Sequence, residues 1–239
     1  LARIGEWKQR IGALPLVADA RQGLAALSGA LGAYLIPATH TGKAKALKAD
    51  WEKAVDAVVA APAKTKSNEL PSDMQVIGAV QRAVGTGVTV VGAAGGLPGE
   101  LHKLWRTDKP GGYHLEYGYS TMGYEIAGAI GVKMARPDDD VVVMIGDGSY
   151  LMANSELATS VMLGQKLTVV VNDNRGYGCI NRLQRATGGE SFNNLLADAP
   201  HVELPQIDFA AHAASLGCEA VHVSSIAELE AAVVKAKAS

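Results

Sequence analysis

Asp147 and Asn174 stand well apart in the sequence, yet each closely follows an apolar, largely β-branched run, at residues 141–145 and 167–171. The residue types between and after them make a set of hard oxygen ligands. Asp147 brings a carboxylate, Asn174 a side-chain carbonyl, and the glycine turn that follows a backbone carbonyl, best assigned to Gly176. Three such ligands are too few for an all-protein cage and suit an octahedral Mg2+ that fills its remaining positions with phosphate oxygens and water. Gly146 and Asp147 end the first run, and Gly148 and Ser149 lead into a helix, so their backbone N–H groups can face an anion. The two turns together predict a bound metal–diphosphate.

The elements that must position these groups follow from the pattern around them. Both apolar runs read as strands buried on two faces of a parallel sheet. Between them, Leu157, Ala158, Val161 and Met162 recur at helical spacing over residues 154–163, with Gly164 at the C-terminal cap. Strand, helix and strand in so short a stretch make a βαβ unit, whose strands are parallel and whose crossover is right-handed. Asp147 and Asn174 are therefore expected at the same C-terminal edge of the sheet, where open α/β sheets bind ligands.

A Gly-Asp-Gly at a strand end followed by an asparagine turn resembles the signature of thiamine-diphosphate enzymes. The chain departs from it at Asp173, where the family usually has the first of two asparagines, and keeps Asn174. A second anchor is Ser120-Thr121-Met122-Gly123, similar to the loop that opens the preceding helix in that family. The resemblance implies that Met122 wedges under the cofactor, that the Ser120 carbonyl takes the aminopyrimidine, and that Gly146 and Tyr177 complete the cofactor contacts. The strings LPGELHKLWR, YHLEYGYSTMGYEIAGAIGVKMA, GDGSYLMANSELATS and DNRGYGCINRLQ are together similar to the trihydroxycyclohexanedione hydrolase family of bacterial inositol breakdown. Glu125-Ile126-Ala127 replaces the proline-alanine run of acetolactate-synthase-like members.

That resemblance implies an open parallel sheet with helices on both faces, the diphosphate-binding domain of the thiamine-diphosphate fold. It implies an enzyme that opens a cyclic 1,2-diketone to a deoxyuronic acid, with thiamine diphosphate and Mg2+ as cofactors. His114, Glu116 and Tyr119, in a charged aromatic string leading into the cofactor loop, become candidates for hydrogen bonding or proton transfer to the polyhydroxylated ring. A subunit contact made by His114 and Glu116 is the alternative. The family also needs a glutamate from a separate pyrimidine-binding domain, and no part of this chain looks like that domain. The expectation is a longer protein, or a second subunit supplying the missing half, in a homodimer or homotetramer, with this polypeptide inactive alone. A decarboxylase or synthase on the same scaffold, and a non-catalytic assembly fragment, are the competing readings.

The remaining sequence bounds the setting. Of 239 residues, 22 are basic and 24 acidic, so no strong field recruits nucleic acid or an acidic membrane. The longest charge-free stretch, 22–42, is broken by Ser28, Pro37, His40 and glycines and does not read as a membrane span. No secretory leader is visible, and two cysteines suit a reduced cytoplasm without a disulfide. The chain opens on Leu1 in mid-pattern, as a piece of something longer would.

Residues 1–66 read as the tail of a preceding middle α/β domain plus linker. They offer a short strand at 14–18, a helix carrying Leu24, Leu27, Leu31 and Leu35, and a second helix at 43–60 with Leu47, Trp51, Val55 and Val58 on one face. Residues 67–239 read as the complete cofactor domain. Its further elements are a helix opened by a Ser72–Gln75 capping box, a strand at 88–92, a helix at 124–135, a helix at 208–216, a strand at 219–223 and a terminal helix opened by Ser225 and Glu228. The glycine-rich turn at 92–99 suits either a phosphate cradle or close packing. Residues 175–206 read as a long irregular, mobile loop with one helical turn at 180–185, as lids and binding loops often are. Cys179 is read as packing rather than as a nucleophile, and the other histidines show no metal-ligand spacing.

Overall fold

The structure, a computed structural model, describes residues 16–60, 70–204 and 206–239. The chain divides into two compact units, Leu1–Glu52 and Lys53–Ser239. The expected boundary near Ser67 lies outside the described residues.

In the first unit, helix α1 (Ala20–Leu31) starts where Asp19 accepts the Gln22 N–H at 3.1 Å and ends at Gly32, whose φ is +53°. Its expected inward residues Leu24, Leu27 and Leu31 are at least half exposed, and nothing in α1 is buried. Residues 16–18 form no strand; the other two positions of that expected strand lie outside the described residues. Helix α2 (Ala38–Val59) begins before the position expected for it, and of its apolar stripe only Val55 is buried.

The second unit is built on a parallel sheet. Helix α3 (Asp73–Val84) opens with the expected capping box: Ser72 Oγ accepts the Gln75 N–H at 3.3 Å and Gln75 Oε1 accepts the Ser72 N–H at 3.0 Å. Strand β1 (Thr89–Gly92), helix α4 (Gly96–Leu104), strand β2 (Tyr113–Leu115), helix α5 (Tyr124–Ala135) and strand β3 (Val141–Gly146) follow. After them come helices α6 (Asp147–Met152) and α7 (Glu156–Met162), strand β4 (Thr168–Asn172), and helices α8 (Gly178–Ala186), α9 (Phe209–Ser215) and α10 (Ile226–Ala238). The strand order is β2-β1-β3-β4, all parallel.

Alternation along the strands sends side chains to two cores. Val90, Val142, Met144 and Val170 face one side with α3, α4 and α10; Val91, Val143 and Ile145 face the other with α5 and Leu157 of α7. Each fully buried valine or isoleucine contributes about 1.5–3 kcal/mol, so this double burial holds the strand ends that carry the turns.

Three expectations are corrected here. The helix expected at 154–163 forms as α7 over 156–162, but it buries Leu157 and Ser160, three apart, and leaves Val161 and Met162 at 48% and 77% exposure. The Ser160 hydroxyl donates to the Gln165 carbonyl just past the end of the helix. Residues 219–223 form no strand: Val223 packs on the core and Val221 points outward, as alternation requires, but no ladder to β4 forms. Tyr113–Leu115, read as a polar string, is instead edge strand β2 beside β1.

Candidate functional site

The strand order places the site more narrowly than the βαβ unit alone. The chain leaves β1 toward β2 on one side, and β3 lies on the other side of β1. The helix after β1 packs into one core and the helix after β3 contributes Tyr150 to the opposite one. The connections diverge, and Asp147 stands at the mouth of the resulting crevice, the topological switch point of the sheet.

Gly146 pairs with Asn172 at the last rung of β3 and β4, which brings the two polar turns side by side. Asp147 is 5% exposed, and its Oδ2 accepts the Gly176 N–H at 2.8 Å. Its Oδ1 is buried without a hydrogen-bond partner. Burial pushes the carboxyl above its ordinary range and the Asp173 carboxylate adds to this, opposed by the backbone N–H groups of Gly176, Gly148 and Asn174. A buried carboxylate oxygen without a partner costs about 1–3 kcal/mol of desolvation unless a cation meets it. Among the described residues no group of three or more His, Cys, Asp or Glu gathers, so a cation at Asp147 draws on amide and backbone oxygens.

Gly176 supplies such an oxygen. It bridges to Leu195 in antiparallel fashion, but the bridge bonds run from Tyr177 N–H to the Asn194 carbonyl at 2.7 Å and from Leu196 N–H to the Arg175 carbonyl at 2.9 Å. The Gly176 carbonyl is thus left out of the bridge, on the edge from which its N–H reaches Asp147. Asn174 is exposed and its carboxamide rests against Gly178, whose Cβ would approach it at 3.3 Å. The Tyr177 ring lies on Gly148, where a Cβ would fall 2.8 Å from Cε1. Asp147, Gly148, Gly176 and Tyr177 line a cleft of about 130 Å3 whose apolar wall includes Leu196 and Phe209.

Residues 175–206, expected as irregular, are shaped by α8, a 3-10 turn at Leu196–Asp198 and the bridge that pins the metal turn. Helix α8 replaces the single helical turn expected at 180–185. Arg182 and Cys179 on α8 lie over Gly96, where a Cβ would meet the far end of the Arg182 side chain. Asp73 meets Arg182 at 3.8 Å and accepts the Asn172 carboxamide N–H at 2.9 Å. Tyr150 fixes α6 from behind through a 2.8 Å bond between its hydroxyl and His212 Nδ1 and an edge-on contact with Phe209.

The second predicted cluster forms a loop after β2. Glu116 accepts the Tyr119 N–H at 3.0 Å on one oxygen and the Thr121 N–H at 2.7 Å on the other. These bonds hold the chain on either side of Ser120, whose φ of +57° is the left-handed conformation uncommon for a non-glycine residue. His114 Nε2 lies 2.6 Å from the Tyr124 hydroxyl, and Tyr119 is 94% exposed. The structure thus brings Glu116 to Tyr119 and Ser120, and turns His114 to Tyr124. Met122 is half-buried beside Gly123.

The two N–H groups hold the Glu116 carboxyl below its ordinary range. Their support for the loop is present above the unfolded-state value and is lost as pH falls through the lowered one. Glu116→Gln offers one acceptor in place of two, so amide exchange at Tyr119 or Thr121 is expected to quicken several-fold at neutral pH. Acidification of the wild type is expected to lower the protection of the same two amides once the intrinsic slowing of exchange at low pH is divided out, as exchange followed by NMR checks.

Sequence reasoning missed Glu125, which is 1% exposed and within 2.8 Å of Ser149 Oγ through both carboxyl oxygens. The available signal was helical spacing, since Glu125 shares the buried face of α5 with Ala129.

The family described as thiamine pyrophosphate enzyme, C-terminal TPP binding domain, matches residues 93–239. The chain belongs to this family. Thiamine diphosphate with Mg2+ is the cofactor set that membership supports, and the partnerless Asp147 oxygen at the switch point fits it. Among curated relatives, the 3D-(3,5/4)-trihydroxycyclohexane-1,2-dione hydrolase of Bacillus thuringiensis (strain Al Hakam) is 45% identical over 168 residues, 68% of this chain and 26% of the relative. The hydrolase of the same name from Geobacillus thermodenitrificans (strain NG80-2) is 36% identical over 253 residues, 95% of this chain and 39% of the relative. The chain thus spans well under half the length of either. The crystal structure of benzoylformate decarboxylase from Polynucleobacter necessarius shares the fold at a TM-score of 0.60 and 18% identity, over 75% of this chain and 33% of that one. Among the described residues no helix is long and apolar enough to cross a membrane.

Proposed function

We propose that this chain is the diphosphate- and Mg2+-binding portion of a thiamine-diphosphate-dependent hydrolase. Its substrate is a cyclic 1,2-dione, trihydroxycyclohexane-1,2-dione, opened to 5-deoxyglucuronate in inositol breakdown. The observation that carries the substrate is the 45% identity to hydrolases of that name. The likeness to a decarboxylase speaks for the fold alone.

Asp147, the Asn174 side chain and the Gly176 carbonyl hold Mg2+, and Gly146, Gly148, Ser149 and Tyr177 surround the diphosphate. The Oδ1 of Asp147 supports this reading, because a divalent cation answers the one demand its surroundings leave unmet. Met122 supports the cofactor from below and the Ser120 carbonyl meets its aminopyrimidine; the strained backbone at Ser120 is what such a close approach requires. Thiamine, when bound, supplies the carbanion and electron sink for breaking the C–C bond. Tyr119, exposed at the loop tip, hydrogen-bonds the ring hydroxyls, with His114 and Glu116 behind it as proton-transfer or positioning groups. The glutamate that activates thiamine comes from a pyrimidine-binding domain, in the rest of a longer protein or in a second subunit of a homodimer or homotetramer. Residues 1–66 are the end of a middle domain and 67–239 the cofactor domain. The two thiols, neither in a disulfide, suit the cytoplasm.

The test is a substrate panel. The full-length protein with thiamine diphosphate and Mg2+ is expected to consume the trihydroxylated cyclic dione and to leave benzoylformate and pyruvate intact. Decarboxylation of either oxoacid without dione turnover would overturn the substrate, and dione turnover by the 239 residues alone would overturn the missing-domain reading.

A further inference from the structure

The loop after β2 has a fastening at its base that involves a residue without a place in the proposed chemistry. His114 is the middle residue of edge strand β2, paired with Val91 of β1, and Tyr124 is the first residue of α5. Between them runs the segment that carries Glu116, Tyr119, Ser120 and Met122. Across this ten-residue separation, His114 Nε2 and the Tyr124 hydroxyl lie 2.6 Å from each other. The two rings are nearly parallel, with centroids 5.9 Å apart and planes inclined by 14°. Glu116 holds the middle of the segment through the Tyr119 and Thr121 N–H groups, and the His114–Tyr124 bond holds its two ends.

Gly128 makes the place for the Tyr124 ring. It stands four residues further along α5, on the same face of the helix as Tyr124. A Cβ there would collide with Tyr124 Cε1 and fall 2.5 Å from Cζ, the carbon that bears the hydroxyl. Glycine inside a helix is less stable than alanine, and at 128 it leaves the room in which the ring sets its hydroxyl against His114. The bond does not depend on the protonation state of the imidazole. A neutral ring accepts from the hydroxyl at a bare Nε2 or donates Nε2–H to the hydroxyl oxygen, and an imidazolium donates. Loss of the hydroxyl, or displacement of the Tyr124 ring, breaks it in each case.

We propose that Tyr124 is a positioning residue that, seated over Gly128, staples His114 and closes the base of the loop presenting Ser120 and Met122. Of the two roles open to His114, this assigns it the positioning one. The staple stands on the geometry of this chain; its use in seating a cofactor rests on the thiamine-diphosphate reading.

The test compares wild type, Tyr124→Phe, Gly128→Ala and the double variant, first without cofactor. Tyr124→Phe is expected to speed hydrogen exchange at the Tyr119 and Thr121 amides about five- to tenfold, the loss of roughly one hydrogen bond, with the amides of β1 and β3 at wild-type rates. Gly128→Ala is expected to do the same although alanine favours the helix, because its methyl moves the ring off His114. The 15N resonance of His114 Nε2 is expected to shift in the same direction in both. The double variant is expected to exchange no faster than Tyr124→Phe, since both changes remove one bond. Wild-type loop exchange or an unmoved His114 resonance in Tyr124→Phe would overturn the staple. Unchanged or slower loop exchange in Gly128→Ala, or additive acceleration in the double variant, would overturn the part given to Gly128. Thiamine-diphosphate titrations with Mg2+ then address the seating role. Affinity several-fold weaker in both single variants supports it, and equal affinity overturns it. No binding by wild type counts against the cofactor reading instead, while the exchange rates still decide the staple.

Discussion

Asp147→Ala is expected to abolish the Mg2+ dependence of thiamine-diphosphate binding and to weaken that binding by more than about 100-fold, beyond the 10- to 100-fold typical of groups that only support a metal ligand. The apo protein is expected to change little. Alanine removes the acceptor of the Gly176 N–H, a loss of about 1 kcal/mol. It also removes a buried carboxylate whose second oxygen is partnerless, a relief of similar order. Thermal melting without cofactor is therefore expected to stay close to wild type while calorimetry shows the loss of metal-linked binding. A variant that melts far lower and binds normally once stabilised would assign Asp147 to the fold rather than to the metal.

The second large effect is expected at Gly176. Its φ is +140°, and a Cβ there would lie 2.6 Å from the Asn194 carbonyl oxygen and 2.9 Å from Leu195 Cα. Both obstacles are backbone, held by the bridge that pins the turn, so neither gives way as a flexible side chain would. Gly176→Ala is expected to cost about 2–4 kcal/mol through strain and overpacking. It also displaces the N–H that meets Asp147 and the carbonyl assigned to Mg2+. Denaturant unfolding measures the first effect and cofactor titration the second. Gly146→Ala is the contrast, since a Cβ at 146 meets nothing within 4 Å. Normal stability is expected there, and any loss of affinity reports the cofactor in that space.

The sequence made the strand–turn–helix–strand arrangement around Asp147 readable because its signals are local. A continuous apolar run, a glycine turn and a capping box each need only a few neighbouring residues. Tyr113–Leu115 was not readable as a strand, because an edge strand of three residues with a histidine in the middle carries neither alternation nor an apolar run. The switch point was hidden for a different reason. It depends on β3 pairing with β1, a choice made by the whole sheet and not by the turn itself. Glu125 and Ser149 lie on separate helices and meet only when α5 and α6 pack, so helical spacing marks Glu125 as buried without naming its partner. Val161 and Met162 show the limit of periodicity: the spacing suited a helix and the helix forms, but it buries Leu157 and Ser160 and leaves both of them exposed.

Calorimetric titration of the protein with thiamine diphosphate, with and without Mg2+, tests the central claim most directly. Weak binding is expected that appears only with Mg2+, vanishes with a chelator and is lost in Asp147→Ala. Binding of equal strength with and without Mg2+, or unaltered in Asp147→Ala, would contradict it.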